Sequence, residues 1–472
     1  MAQFNEKKQP EKNLAGGRAY HESENMQLAA VLLTSFGDDK YYASNTAIKA
    51  QLARLIESCD KEFAAKAIVY ARREFGMRTI THYAASILAK YIGSEPWAKD
   101  FFNSVVVRPD DMTEIVACTL SRKDKISNAI KKGFARAFGK FTRLQLAKYR
   151  SEDSTVKLVD LVNLCHPKQT AKNDGAIEAL VKGELRLSGT WESEVSAAGN
   201  NPEAKKKAWR DLVLGGKMGY FALLRNLRNI IQCGDDEVKA KALEQLVEPT
   251  HIKKSLVLPF RFSTAYKELA TIDRDAIRAI SRACEIACSN VPKFPGKTLV
   301  ALDVSGSMVA NKVDGIAALF AAVFAKTCDT DLIKFAEQAS YQFVNPDDSV
   351  LTIANNITFL GGGTNFVDVF RVADGKKYDR VILLSDMQAW VAHDWMGRDC
   401  SPSAAYNLYK KRNNAPDCKC YSIDLAGYGT LQLPEKDVYC LAGFSEKIFD
   451  IMGMFEEDKN ALITTIQNVE LK

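Results

Sequence analysis

The sequence predicts a multidomain chain: an all-α half of stacked short helices, then a doubly wound α/β half around a parallel sheet. Three observations carry this. Up to residue 291 the apolar residues recur at helical spacing, as at Met26, Ala29, Ala30 and Leu33, or at Val238, Ala242 and Leu246. From residue 297 short β-branched runs alternate with helical ones, the pattern of a sheet covered on both faces. Between the two the charge balance inverts: residues 1–296 hold 47 Lys and Arg against 35 Asp and Glu, whereas residues 297–472 hold 17 against 23. The turn-forming PKFPG at 292–296 marks the boundary. The expected organisation is a polar segment over 1–24, a helical domain over 25–291 and an α/β domain over 297–472.

In the helical half the expected helices include 45–58, 61–74, 79–92, 110–120, 155–164, 202–214, 221–233 and 273–288, separated by small polar breaks. No exact repeat period is visible. Many short helices joined by brief turns still resemble the stacked helix pairs of HEAT-type solenoids.

One segment of this half is strongly basic. Between Arg122 and Arg150 lie ten basic residues and a single acid, Asp124. So many like charges repel one another unless a polyanion compensates them, which points to nucleic acid. On a continuous helix Lys132, Arg136, Lys140 and Arg143 share one face, although Gly133 and Gly139 interrupt it. A merely solvated face is the plainer reading. Phe134, Phe138 and Phe141 interleave with these cations and are expected in the core, with stacking on unpaired bases as the alternative.

Two further stretches stand out. In LLRNLRNII at 223–231, Arg225 and Arg228 share a helical face, as do Asn226 and Asn229. Polar groups inside an apolar helix need partners, so internal bridging to neighbouring helices is expected ahead of contact with RNA. In Cys165-His166-Pro167-Lys168, Pro167 disfavours helix at His166 and sets the imidazole at an element boundary.

The α/β half opens with TLVALDVSGSMVAN at 298–311, a buried-strand run that delivers Asp303, Ser305 and Ser307 to the carboxyl edge of the sheet. A glycine-rich turn then brings Thr364, and a second buried strand over 381–384 ends in Ser385-Asp386. Two carboxylates and three hydroxyls from three loops are hard donors, suited to Mg²⁺ or Mn²⁺ rather than zinc or copper. The set Asp303, Ser305, Ser307, Thr364 and Asp386 resembles the metal-ion-dependent adhesion site of von Willebrand factor A domains, with every element in order. An ion held this way keeps positive charge and water, which an acidic group from a protein partner, or a phosphate, would displace. The remaining expectations are strands at 331–336, 341–344, 419–425 and 438–441, and helices at 313–326, 350–357, 445–454 and 459–468.

Taken together, LLRNLRN, the NLCHPK turn, an early AGGRAY followed by FGDDKYY, and the DxSxS domain resemble the TROVE-module family of Ro autoantigen-like RNA-binding proteins, in its bacterial or phage type. The resemblance implies a ring of HEAT-like repeats closed beside a von Willebrand factor A domain. It implies binding of small Y-like noncoding RNAs on a basic outer surface, and of single-stranded ends of misfolded RNAs in the ring. It further implies RNA quality control, a link through RNA to an exoribonuclease, and a cytoplasmic setting. It nominates Lys148 and Arg150, in the KYR segment, and His166 as RNA contacts, beside the cations Lys132, Arg136, Lys140 and Arg143.

Composition bounds the alternatives. No apolar run approaches the roughly 18 residues of a membrane span, so no membrane partner is expected. The polar start lacks an apolar signal region. Eleven scattered cysteines suit a reducing compartment, and Cys284, Cys288, Cys418 and Cys420 read as small buried side chains. No positioned general base or second-metal cluster is visible, so the chain is not expected to be an enzyme. A metal-dependent adhesion adaptor and an Mg²⁺-dependent nuclease are the competing readings.

Overall fold

A computed structural model describes residues 10–12, 18–20, 23–34, 45–150, 152, 154–186, 190–389, 399–426, 433, 438–442, 448–457 and 461–472. In the polar start, Pro10–Lys12 (β1) pairs antiparallel with Arg18–Tyr20 (β2). The rest of residues 1–22, and FGDDKYY at 36–42, lie outside the described residues.

The helical half runs from Glu24–Thr34 to Arg274–Ala287. Its starts follow side-chain caps: Asp60 accepts from the Phe63 N–H at 2.8 Å, Asp235 from Val238 at 3.0 Å and Asp273 from Ala276 at 2.8 Å. Asn45–Ser58 and Pro202–Leu214 coincide with the expected bounds, whereas the helix expected over 79–92 stops at Leu88 and that over 155–164 spans Leu158–Cys165. Helices pack on the next and on the next but one, which is how stacked pairs bury their apolar stripes. Gly133 marks the closest approach: a Cβ there would lie 2.5 Å from the Phe102 Cβ and 2.6 Å from the Lys99 carbonyl.

The basic segment is not one helix. Asn128–Phe138 ends at Gly139, and Thr142 restarts the chain as Arg143–Lys148 through a reciprocal cap with Gln145. Phe134, Phe138 and Phe141 are buried, as expected.

At the heart of this half sits one buried carboxylate. Asp111 accepts from the Arg72 guanidinium at 2.9 Å, His82 Nε2 at 2.8 Å and the backbone N–H groups of Val107 and Arg108 at 2.8 Å each. Burial alone would raise its pKa, but the His82 and Arg72 partners outweigh that and hold it well below the usual carboxylate range.

The α/β half carries a six-stranded sheet. Its strands are Lys297–Asp303 (β3), Asp329–Phe335 (β4), Ala339–Gln342 (β5), Arg380–Ser385 (β6), Lys419–Asp424 (β7) and Val438–Ala442 (β8), in the order β5-β4-β3-β6-β7-β8. Every neighbouring pair is parallel except β4 with the edge strand β5. The sheet is therefore mixed rather than wholly parallel as expected, because β5 pairs back antiparallel on β4 at the edge.

Alternate strand residues face different cores. Leu299, Ala301, Val381, Leu383 and Cys420 join a local cluster with Phe366, Phe370, Tyr406 and Tyr409. Val300, Leu302, Ile382, Leu384 and Ile423 belong to one continuous core that extends through the helical half. The boundary at 292–296 is accordingly packed rather than loose. Phe294 is buried, its ring 5.5 Å from the Arg380 guanidinium, and the Pro295 carbonyl accepts from Arg380 at 2.6 Å.

Both ends of the helical half dock on the α/β half. At one seam Phe260 meets Phe320 and Phe449 at centroid distances of 4.5 and 5.8 Å, and Glu285 caps Val350–Asn356 by accepting from the Val350 N–H. At the other, Glu24–Thr34 packs against β8 and Ala461–Gln467 against Lys61–Arg73. There the Lys472 carbonyl accepts from Asn103 Nδ2 at 2.8 Å and Ser104 Oγ at 2.6 Å.

Removing the Asp111 carboxylate would leave Arg72 buried and uncompensated. We expect Asp111→Ala to lose about 3–5 kcal/mol in urea unfolding at pH 7. Because its folded pKa is depressed, the contribution is present above the unfolded value of about 4 and lost as pH falls below it, so the wild-type minus mutant difference should shrink on acidification.

Candidate functional site

The order of strands places the oxygen donors. From β3 the chain moves outward through β4 and β5, then crosses back to β6 on the other side of β3. The crevice between the carboxyl ends of β3 and β6 is thus a topological switch point, where open α/β sheets bind ligands. Asp303 ends β3 and Asp386 follows β6 directly.

Ser305 and Ser307 follow β3, and Thr364 follows the glycine-rich turn whose backbone bonds to Val304 and Gly306. Asp303, Ser305, Thr364 and Asp386 are buried, and Ser307 is partly exposed at the mouth. The Ser305 and Ser307 hydroxyl oxygens lie 3.1 Å apart. The Gly-rich turn is pinned beside them. The N–H groups of Leu360 and Gly361 both donate to the Val304 carbonyl at 3.1 Å, and Gly306 donates to Gly362 at 3.3 Å. Gly361 and Gly362 have φ of +77° and +90°, a backbone region that other residues adopt at a cost.

Two residues outside the expected set hold the carboxylates. Ser385 Oγ donates to Asp303 Oδ2 at 2.6 Å, while the Ser305 N–H donates to Oδ1 at 2.9 Å. Asn311 Nδ2 donates to Asp386 Oδ2 at 3.1 Å. Neither carboxylate forms an ion pair among the described residues. Burial, reinforced by the Asp386 charge, pushes the Asp303 carboxyl up to about 7. Two buried carboxylates without a basic partner leave negative charge that a cation would compensate.

The basic segment and the histidine turn, separate in sequence, come together. Leu158–Cys165 packs on Asn128–Phe138, and the loop after it returns to the segment, with Arg143 donating to the Asp174 carbonyl at 3.0 Å. His166 is exposed at the helix end with φ of +49°. Pro167 forbids continuation of the helix there.

The expected cationic face needs correction residue by residue. Lys140 turns inward: its ammonium donates to the Asn103 carbonyl and to that of Val106 at 2.6 Å, closing the carboxyl end of Ala98–Val105. Burial, with Arg73 nearby, pushes its pKa down to about 8. Arg136 is half-exposed and paired with Asp100. Arg150 donates to the Leu185 carbonyl and pairs with Glu152 at 3.2 Å. Lys132, Arg143 and Lys148 remain exposed, the Lys148 ammonium 5.9 Å from the Tyr149 ring.

Of the expected bridging by the LLRNLRN helix, Arg228 carries its part, reaching Glu268 of the neighbouring helix at 2.5 Å, though in the open; Asn226 instead bonds the Ala222 carbonyl of its own helix at 2.9 Å. Arg225 and Asn229 are exposed.

The fold and site together define a class: a helical-repeat arc whose two ends dock on an α/β domain with an oxygen-lined crevice. The TROVE domain family model matches residues 25–183 and 181–293, and the chain belongs to that family. The crystal structure of the Deinococcus radiodurans RO (RSR) protein shares the fold, with a TM-score of 0.65, 18% identity and coverage of 94% of this chain and 99% of that one. The RNA-binding protein RO60 of Deinococcus radiodurans is 23% identical over 270 residues, covering 50% of this chain and 49% of that protein. Telomerase protein component 1 of Mus musculus is 21% identical over 312 residues, 47% of this chain and 12% of that protein. The matched region spans at most about half the length of these curated relatives.

The inward placement of Lys140 separates it from its neighbour Lys132 in a measurable way. We expect Lys140→Ala to lower stability by about 1–3 kcal/mol, from two buried carbonyls left unpaired, and Lys132→Ala to change it by less than about 0.5 kcal/mol. Parallel urea titrations of the two variants check this.

Proposed function

We propose that this protein is an RNA-binding ribonucleoprotein scaffold, in which a HEAT-like ring carries small structured noncoding RNA of the Y-like kind. The observation that carries the reading is the juxtaposition of the basic segment with the His166 turn in a chain of the TROVE family. The contact surface in this reading is Lys132, Arg143, Lys148 and His166. Arg136 and Arg150 stand at its margin, each already engaged by an acid, and Lys140 supports it from beneath. Exposed Lys and Arg bind phosphates without reading sequence, so they suit the backbone of a folded RNA. Single-stranded ends of misfolded RNAs, in RNA quality control, form the second part of this reading, with an exoribonuclease tethered through RNA in the cytoplasm. Among the described residues no helix is long and apolar enough to cross a membrane.

For the crevice, we propose a von Willebrand factor A-type adhesion site holding Mg²⁺ or Mn²⁺ through Asp303, Ser305, Ser307, Thr364 and Asp386. The donors fit. Adjacent oxygens of an octahedron with metal–oxygen bonds of about 2.1 Å stand about 3.0 Å apart, and the two serine hydroxyls are 3.1 Å apart. The bound ion would supply a positive centre at the sheet edge. Ser385 and Asn311 orient the two carboxylates, and the pinned glycine turn keeps the mouth open to an acidic side chain from a protein partner.

Two experiments test these assignments. Lys132→Glu with Lys148→Glu should weaken binding of a structured RNA about tenfold or more, and flatten the log–log salt dependence by about two units; unchanged affinity and slope would refute the surface. Asp303→Ala should abolish Mn²⁺ binding in calorimetry while RNA affinity stays within about twofold, since the sites are separate. Equal losses in both measurements would contradict that separation. Partner capture abolished by EDTA, with no RNA bound under any salt condition, would instead favour the adhesion adaptor.

A further inference from the structure

The mouth of the oxygen-lined crevice carries two features that the five donors do not account for. The first is an acid. The hairpin joining β4 to β5 turns at 336–338 and holds the glycine-rich turn. There the Ala336 carbonyl accepts from the Asn365 N–H at 2.8 Å, and the Glu337 carboxylate accepts from the Gly363 N–H at 3.4 Å. Gly362 lies against that carboxylate, since a Cβ there would stand 3.8 Å from its carbon. On its other side Gly362 meets Gly306, whose Cβ position is 3.9 Å from the Gly362 nitrogen. One glycine therefore separates Glu337 from the Ser305-Gly306-Ser307 stretch. Glu337 is exposed and forms no ion pair among the described residues. Lys334, the nearest cation in sequence, donates to Thr358 Oγ1 at 3.3 Å instead.

The second feature is apolar. Leu360 is 74% exposed, although its N–H is fixed to the carbonyl of Val304, the residue directly after Asp303. An apolar side chain is thus held out to water on a pinned backbone beside the site. Leu360 and Glu337 bracket the turn that delivers Thr364, and only the glycines 361–363 lie between Leu360 and Thr364. A short extended segment spans that distance. The charge beside the site also discriminates between classes of partner. A nucleic-acid strand brings further phosphates with the first, and on this side Glu337 repels them. A peptide brings charges of either sign, and an apolar side chain as well.

We propose that this mouth receives a protein segment in which an acidic residue has a large apolar residue on one side and Lys or Arg within two residues on the other. The carboxylate goes to the cation in the crevice, the basic group to Glu337 and the apolar side chain to Leu360. The proposal rests on the adhesion-site reading above, and supplies the sequence preference that a bare contact between carboxylate and cation lacks. An exposed ion pair contributes modestly, so Glu337 sets preference among partners rather than bulk affinity.

The test uses the full chain loaded with Mn²⁺ and a set of capped tetrapeptides. Each holds one aspartate, with a leucine before it and an arginine, a glutamine or a glutamate two places after it, and each is also made in the reverse order. Water-proton relaxivity reports displacement of water from the bound ion, and its titration gives the affinity. In one of the two orders the arginine peptide should bind about two- to fivefold tighter than the glutamine peptide, with the glutamate peptide weakest. Glu337→Gln, which keeps an acceptor for the Gly363 N–H, should erase the difference between arginine and glutamine. Glu337→Lys should invert the series, and Leu360→Ser should weaken all three peptides alike. An unchanged order in Glu337→Lys, or equal affinity of all the peptides for the wild type, would overturn the inference and leave the metal site standing. So would the absence of water displacement by every peptide; displacement by a short oligoribonucleotide alone would then assign the mouth to nucleic acid. Failure of Mn²⁺ to bind at all would overturn the adhesion-site reading itself, and this inference with it.

Discussion

The structure depends on one hydrophobic core that does not respect the boundary between its two halves. Val300, Leu302, Ile382 and Leu384 on one face of the sheet belong to the same buried cluster as Leu52, Phe101 and Ile280 of the helical half. A parallel sheet needs both faces covered. Here Phe366–Ala373 and Pro402–Arg412 cover one face, while Asp314–Thr327 and Ile448–Glu457 cover the other and join it to the helical half. The consequence is mutual. Helical repeats cannot bury their terminal faces alone, and in this molecule each terminal face finds the α/β half: Phe260 against Phe320 and Phe449 at one seam, Ala461–Gln467 against Lys61–Arg73 at the other. The seams differ in kind. The first is aromatic packing. The second adds directional bonds, such as Lys66 to the Gln467 carbonyl at 3.0 Å and Ser104 to the Lys472 carbonyl.

That arrangement explains the placement of the oxygen-lined crevice. Burying both faces of β3 and β6 forces any polar chemistry to the strand ends, and the change of winding direction between them opens a gap there. Asp303 and Asp386 are buried because they end strands that are themselves buried, not because the fold needs buried carboxylates. Their hydrogen bonds come from Ser385, Asn311 and backbone N–H groups, all neutral donors. The Arg72–Asp111 pair makes the contrast. There a buried carboxylate is met by a guanidinium and three further contacts, from His82, Val107 and Arg108, and its role is to join helices.

Much of this was legible in the chain before folding. Continuous apolar runs located β3, β6 and β7, and period-3.6 patterns most of the longer helices, within a few residues, because packing and local preference agree there. The five donors were legible for a related reason: each sits at a fixed offset from a strand end or a glycine turn. Ser385 and Asn311 were less so, since an Oγ or an amide that orients a carboxylate has no spacing rule of its own. Charge was the least legible. The hydrophobic pattern of 128–148 says which side faces the core, but not that Thr142 and Gln145 cap a new helix and rotate its face. Glu337 was invisible for another reason: it lies 26 residues before Gly363, and only the packing of the β4–β5 hairpin on the glycine-rich turn makes them neighbours.

Charge along a sequence is therefore a poor measure of charge at a surface. The basic segment holds ten cations, yet Lys140 and Arg150 spend hydrogen bonds on backbone carbonyls, Arg136 is met by Asp100, and Arg122 bonds Asp124 and the Ser86 carbonyl. Lys140 and Arg122 finish helix ends that lack partners of their own, a structural use of positive charge that favours helix carboxyl termini. LLRNLRN holds only two cations, and they fare differently: Arg228 meets Glu268 of the neighbouring helix, whereas Arg225 is exposed and makes no ion pair among the described residues. The electrostatic surface of this protein follows from which carbonyls and carboxylates each guanidinium or ammonium meets after folding, and a count of basic residues measures only the supply.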